Sequence, residues 1–168
     1  QLDDDRYLIL AGDDDLARGS VSDQGREVSF SAGSVLYSAE QVTLSDSPAI
    51  NIPVDGYGLA GPSTTLMANK IVFNTSDQQW LATKDVVMDG AVTGSCQQLV
   101  LNPDSVILTG GRSSETSLCK ISTALEDKSR INLEGDVIEF VFGDSLAISN
   151  NVFVKRVSDT TDWLRCDN

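Results

Sequence analysis

The residue types that could support chemistry in this chain are aspartate, glutamate and cysteine, because histidine is absent from its 168 residues. Without histidine, neither a serine triad nor a cysteine–histidine pair can be assembled, and the usual general base near neutral pH is missing. Two carboxylates could still hydrolyse glycosides, but chance pairs are guaranteed among 25 acidic residues and no pattern selects one. The sequence therefore predicts no catalytic residues, no enzyme activity and no cofactor.

Metal sites are also not predicted. Three consecutive aspartates occur at positions 3–5 and again at 13–15, and carboxylate oxygens are the ligands that Ca²⁺ prefers. Neither run has the alternating carboxylates and glycine of an EF-hand loop, so solvated acidic turns are the favoured interpretation. The three cysteines have no C-x-x-C spacing, which argues against zinc.

The cysteines are instead candidates for disulfide formation. One disulfide and one free thiol would fit an oxidising compartment, and a cysteine close to the C-terminus often staples a terminal segment. Three reduced, packed thiols are the alternative interpretation. The candidates are Cys96, Cys119 and Cys166.

The charge of the chain excludes one large class of partners. Its 12 basic and 25 acidic residues give a net charge of −13, so no basic face is available to bind nucleic acid. The same charge opposes docking on an anionic membrane surface but leaves apolar contact with lipid chains open. No segment approaches the roughly 18 apolar residues of a membrane helix, so no membrane-spanning segment is predicted in this chain.

Four segments share a pattern in which large apolar residues stand two positions apart. A period of two places them on one face of a strand. A second apolar run follows each segment after a polar stretch; in the second unit this run begins at Leu81. Each unit therefore predicts a strand, a turn and a return strand, within a single β domain covering residues 1–168. The units lie near residues 32–46, 68–90, 96–111 and 135–157.

Two further segments carry local signals. Residues 123–126, with the sequence TALE, have the spacing of a capping box, which predicts at most one short helix in an all-β chain. Prolines and glycines between residues 47 and 63 predict a long irregular connection there.

The repeat units resemble those of a known family. Residues 135–140, with the sequence GDVIEF, and the return strand up to residue 154 resemble the repeat of the lipopolysaccharide-transport family of LptA-, LptC- and OstA-type domains. Residues 68–73, with the sequence ANKIVF, have the same layout. Residues 106–110, with the sequence VILTG, resemble the ending of such repeats. The resemblance covers about residues 32–157 and implies an antiparallel twisted β-jelly roll or bent β-sandwich that is open along one seam.

The resemblance also implies a function. It implies a non-enzymatic periplasmic domain that binds or bridges lipid, with acyl chains of lipopolysaccharide or a related lipid in an apolar groove between sheets. A closed core built from the same residues is the alternative. By repeat alignment, the residues expected to bind lipid are Val35, Tyr37, Ile71, Phe73, Leu99, Leu101, Ile138 and Phe140.

Two expectations concern the setting of the domain. Copies of the chain, or other partners, are expected to associate by β-augmentation through edge strands at residues 7–10 and 152–157. The protein is expected to be periplasmic or extracellular, with any anchoring segment lying before Gln1. The competing interpretation is a pilin-like or other extracellular structural subunit that lacks its N-terminal helix, since such subunits are also acidic, β-rich and secreted.

Overall fold

The chain forms an all-β structure, which confirms the predicted fold class. The computed structural model describes residues 7–11, 16–23, 26–54, 61–111, 118–124, 129–141, 145–150, 152–157 and 161–165. These ranges contain seventeen strands and no helix, hence none that could cross a membrane. The strands are β1 (Tyr7–Ala11), β2 (Ala17–Asp23), β3 (Arg26–Ala32), β4 (Ser34–Tyr37), β5 (Gln41–Ser45), β6 (Ala49–Pro53), β7 (Ser63–Met67), β8 (Lys70–Asn74), β9 (Gln79–Gly90), β10 (Val92–Leu101), β11 (Ser105–Thr109), β12 (Cys119–Ala124), β13 (Arg130–Gly135), β14 (Val137–Val141), β15 (Ser145–Ser149), β16 (Phe153–Val157) and β17 (Thr161–Arg165).

Two long central strands divide the sheet into two layers. The N-terminal part of β9 pairs with β8, and its C-terminal part pairs with β7. In the same way, β10 pairs with β12 through its N-terminal part and with β11 through its C-terminal part. Because β9 and β10 also pair with each other along their length, they belong to both layers.

We call the two branches the long layer and the short layer. The long layer has the strand order β1-β2-β3-β6-β7-β9-β10-β12-β13-β16-β17, and the short layer has the order β4-β5-β8-β9-β10-β11-β14-β15. All of these pairings are antiparallel. One core cluster contains Phe30 and Leu66 of the long layer together with Leu44 and Ile71 of the short layer. The inner faces of the layers therefore pack on each other as in a β-sandwich.

The strand-turn-strand prediction is also confirmed, because each of the four repeat units supplies a hairpin of the short layer. These hairpins are β4–β5, β8–β9, β10–β11 and β14–β15. Their apolar residues alternate with more exposed ones, as in β8, where Ile71 and Phe73 are buried. This alternation is what a strand with one buried face requires.

The chain bends at a line that we call the corner, where it passes from one layer to the other. Within β9, Lys84 and Asp85 have φ angles of 63° and 52°. Within β10, the register shifts between Cys96 and Gln98 in a β-bulge. Bulges and left-handed residues both bend a strand, so one continuous strand can serve two layers.

The corner continues through strands on both sides of β9 and β10. Asp46 follows β5 with a φ of 59°, and Asn150 follows β15 with a φ of 55°. Aspartate and asparagine tolerate the left-handed region better than most residues. The backbone N–H of Gly33 donates to the Asp46 carbonyl at 2.9 Å, and that of Asp136 donates to the Asn150 carbonyl at 3.0 Å. These backbone hydrogen bonds connect neighbouring bends of the chain.

Two local predictions differ from the described residues, and each also covers residues outside them, 125–126 in the first and 55–60 in the second. Thr123 and Ala124, expected in a helical turn, end strand β12, where the Thr123 hydroxyl donates to the Ala91 carbonyl at 3.1 Å. The rest of that turn lies outside the described residues. The segment 47–63, expected to be irregular, contains β6 (Ala49–Pro53). Its proline is accommodated because β3 pairs only with residues 49–51, so the Pro53 position lies beyond that ladder.

Candidate functional site

The eight residues predicted to bind lipid share one face of the short layer. They fall into two rows of cross-strand partners that run perpendicular to the strands, with one residue from each strand. We call the row near the hairpin turns the turn row and the other the corner row. The turn row is Tyr37, Val42, Phe73, Trp80, Leu101, Val106, Phe140 and Leu146, and the corner row is Val35, Leu44, Ile71, Ala82, Leu99, Leu108, Ile138 and Ile148.

Burial along these rows is complete at the centre and decreases toward both ends. The five predicted residues Ile71, Phe73, Leu99, Leu101 and Ile138 are buried in the core cluster. Val35 and Phe140 are half-buried, packed against that cluster. Tyr37 is 36% exposed at one end of the turn row, and Leu146 is 40% exposed at the other. The apolar face is therefore covered in the middle and reaches solvent at its two ends.

Trp80 is a component of the interior that the sequence analysis misses. It is fully buried, and its ring centroid lies 4.6 Å from that of Phe73 at an interplanar angle of 38°. Its indole Nε1 has no hydrogen-bond partner among the described residues. The sequence-based prediction began the return strand at Leu81, whose side chain lies on the more exposed face of β9. Trp80 and Ala82, on either side of it, lie on the buried face. A buried donor without an acceptor costs about 1–3 kcal/mol, so the unpaired N–H lowers the stability of the fold.

The edges of the layers lie at the two ends of the rows. Within the described ranges, β4 and β15 have one neighbour each in the short layer, and β1 and β17 have one each in the long layer. The predicted edge at residues 7–10 thus coincides with an edge strand. The predicted edge at residues 152–157 is wrong, because β16 pairs with β13 on one side and β17 on the other.

The corner also carries a shallow depression of about 510 Å³ that is lined by both polar and apolar residues. Asp46 and Asp85 line it from neighbouring bends, and the Asn69 side-chain amide donates to Asp85 Oδ2 at 3.2 Å. No group of three or more potential metal ligands occurs in the part of the chain that the structure describes. The depression follows from the bends of the chain.

Two of the three disulfide candidates lie in the core as free thiols. Cys96 and Cys119 are both buried, and neither forms a disulfide in the structure. The hydrogen bond between the two thiols raises the pKa of Cys96, which burial raises further. The same hydrogen bond lowers the pKa of Cys119. Cys166 lies outside the described residues.

Similarity to known proteins gives no independent indication of the function. Comparison with models of known protein families finds no match to this chain, and comparison with curated proteins finds none either. The features that bear on function are therefore the interior between the layers and its two ends.

Proposed function

We propose that this protein is a non-enzymatic lipid-binding domain that holds acyl chains of lipopolysaccharide or a related lipid between its two layers. The observation that supports this function is the continuity of the turn row and the corner row across every strand of the short layer. Eight strands spaced by about 4.8 Å give these rows a length of roughly 34 Å. An apolar face of this length, with solvent access at Tyr37 and Leu146, suits an extended acyl chain.

The energetics favour the acyl part of a lipid over its headgroup. Each methylene moved from water into an apolar interior gains about 0.8 kcal/mol. With a net charge of −13, the protein repels phosphate groups, which stay in solvent or are bridged by divalent cations. Entry starts at the ends of the rows, where Val35, Tyr37 and Leu146 are not fully covered. For an acyl chain to run from one end to the other, the two layers must separate over the buried centre of the rows.

The indole of Trp80 supports a ligand with both apolar and polar groups. Its N–H is buried in the turn row and has no acceptor among the described residues. A carbonyl or hydroxyl oxygen of the lipid would satisfy it and recover the free energy of an unpaired buried donor.

The proposed setting is periplasmic or extracellular, and the proposed working form is a bridge of several copies. The β4 edge and the β15 edge stand at opposite ends of the short layer. Pairing one with the other in a second copy would continue the short layer and its apolar rows from one molecule into the next. No cofactor and no nucleic acid takes part in this function.

Lipid binding can be tested at the exposed end of the turn row. We expect native mass spectrometry to detect one-to-one adducts after incubation with lipopolysaccharide or, separately, with a phospholipid. Tyr37→Glu should reduce these adducts by about tenfold, because an acyl chain at this position would desolvate the new carboxylate. Val87→Glu is the matched control, since Val87 is 43% exposed on the outer face of β9 and lies outside both rows.

Two results would contradict the proposal. A folded wild-type protein that forms no adduct with either lipid would remove the acyl-binding function and favour the pilin-like structural subunit. Equal binding by the wild type and Tyr37→Glu would place any lipid outside the interior rows. Circular dichroism of each variant would establish that the β structure is retained.

Association through the edges predicts a head-to-tail pattern. Leu36 on β4 and Ala147 on β15 are both exposed. Leu36→Glu should block one end and Ala147→Glu the other, so we expect each variant alone to sediment as a monomer. Their equimolar mixture should form dimers and nothing larger, because one unblocked end remains on each molecule. A mixture that stays monomeric, beside a wild type that forms longer assemblies, would show that the two ends do not pair with each other.

A further inference from the structure

Cys96 and Cys119 lie one step beyond the last pair of the ladder that joins two neighbouring antiparallel strands of the long layer. The ladder between β10 and β12 pairs Val92 with Thr123 and ends by pairing Ser95 with Lys120. One further step in the same register places Cys96 opposite Cys119. Facing residues of antiparallel strands have Cα atoms about 4.5–5.5 Å apart, which is within the range of about 4.4–6.8 Å that disulfides adopt.

The two thiols also share one environment. Both side chains are buried in the same core cluster. The Cys96 thiol donates to the Gln98 carbonyl at 3.2 Å, and the Cys119 thiol contacts the Asp136 carbonyl at 3.8 Å. Gly135 faces Cys119 from the next strand, and Ile148 Cγ2 fills the position that a Gly135 side chain would take.

We propose that Cys96 and Cys119 form a cross-strand disulfide when the protein folds in an oxidising compartment. The bond would join two strands that are already hydrogen-bonded neighbours in the free-thiol structure. This inference goes beyond the proposed function and does not depend on lipid binding.

The reaction is a thiol–disulfide exchange with a small-molecule disulfide such as oxidised glutathione. Cys119 loses its proton and attacks one sulfur of the disulfide, which releases one thiol and leaves a mixed disulfide on Cys119. Cys96 then loses its proton and displaces the second thiol, so the Cys96–Cys119 bond forms as the donor is reduced by two electrons. The roles of the two cysteines are interchangeable in this scheme, because the hydrogen bond that lowers the pKa of Cys119 forms only once β12 is paired with β10.

Burial determines when the exchange can take place. Both sulfurs are covered in the folded protein, so an oxidant reaches them before β12 docks on β10. Once the strands are paired, the same burial protects the bond from reduction. The expected disulfide is therefore formed during folding and resists mild reductant afterwards.

The position of the bond gives it a structural role. Between the two cysteines, the chain leaves the long layer, forms the short-layer hairpin β10–β11 and returns to the long layer at β12. A disulfide would join the two ends of this segment next to the corner. Closing a loop of this size restricts the unfolded chain and should raise the melting temperature by about 5–10 °C.

A metal site is the other use of two neighbouring thiols, and the structure argues against it. The described residues contain no group of three or more potential ligands. Structural zinc sites require four ligands, and the sequence contains no histidine.

The test is to count thiols after refolding with oxidised and reduced glutathione and labelling with a maleimide in denaturant. We expect one label on the wild type and none on Cys166→Ser. The double variant Cys96→Ala/Cys119→Ala should take one label and serves as the matched control. Full reduction should lower the melting temperature of Cys166→Ser by about 5–10 °C and leave that of the double variant unchanged.

Peptide mapping of the wild type identifies the bonded pair even if a variant fails to fold. A Cys96–Cys119 linked peptide supports the proposal. Linkage of Cys166 to either residue would overturn it, as would two labels on refolded Cys166→Ser or a melting temperature of that variant that is insensitive to reduction. None of these outcomes depends on whether the protein binds lipid.

Discussion

Replacing Trp80 with alanine is expected to lower the free energy of unfolding by about 4 kcal/mol, the largest loss for a single core position in this fold. Trp80 is fully buried in the turn row and stacks on Phe73 with ring centroids 4.6 Å apart. Its removal would leave a cavity that rigid strands on both sides cannot close. Urea unfolding followed by far-UV circular dichroism measures the loss without relying on tryptophan fluorescence.

Two companion variants separate the cavity from the indole N–H. Trp80→Phe keeps an aromatic ring and removes the unpaired donor, so its loss should be smaller, about 1–2 kcal/mol. Leu36→Ala, at a position 69% exposed, should change stability by no more than about 0.5 kcal/mol. A loss below about 1 kcal/mol for Trp80→Ala would show that this side chain is not part of the packed core.

The second large effect is expected at Gly94, where two strands approach so closely that no side chain fits. Gly94 stands between Met88 of β9 and Ile121 of β12. A Cβ added there would meet the Lys120 carbonyl oxygen far inside van der Waals contact, and the Ile121 Cα at 3.0 Å. Because these obstacles are backbone atoms, the strands must separate. Gly94→Ala should therefore cost about 3 kcal/mol and lower the melting temperature by about 6–12 °C in calorimetry.

The neighbouring residue provides the control for this prediction. Ser95 is exposed on the same strand, so Ser95→Ala should shift the melting temperature by no more than about 2 °C. If Gly94→Ala melted like Ser95→Ala, the close approach of β10 to β12 would be incorrect. The register that places Cys96 opposite Cys119 would then lose its support as well.

The sequence was sufficient to predict the strands of the short layer, because a strand with one buried face must alternate. Val35 and Tyr37 in β4 and Ile138 and Phe140 in β14 follow this rule and fall in the two rows of the structure. Strand β2 could not be predicted by the same rule. Its Gly19 faces Phe30, which supplies the bulk that the β2 position lacks. In this pair of facing residues, therefore, only the β3 position carries a large apolar side chain.

The corner could not be predicted, because its cause is tertiary. Lys84 and Asp85 are adjacent residues inside one strand, and neither is a glycine or a proline. Their left-handed φ angles arise because β9 must reach both β8 and β7. Similarly, Thr123 and Ala124, the described part of the capping-box pattern, pair with β13 in the sheet.

The candidate site was predicted as an apolar groove between sheets, with a closed core of the same residues as the alternative. All eight expected residues do share one face, because the period of two fixes their side. Whether that face is covered by lipid or by the opposite layer depends on the distance between layers, and both cases require the same apolar residues. Trp80 was missed because its strand was read from Leu81, one residue out of register with the buried face.

Because β9 and β10 belong to both layers, the length of the short layer depends on the number of hairpins that flank them. Every other strand belongs to one layer and contacts mainly its immediate neighbours, so the fold resembles a stack of repeats built outward from a common centre. A relative with one more hairpin at either end would have a longer interior without any change at the centre. Duplication or loss of single repeat units would thus adjust the span of the apolar rows in steps of two strands.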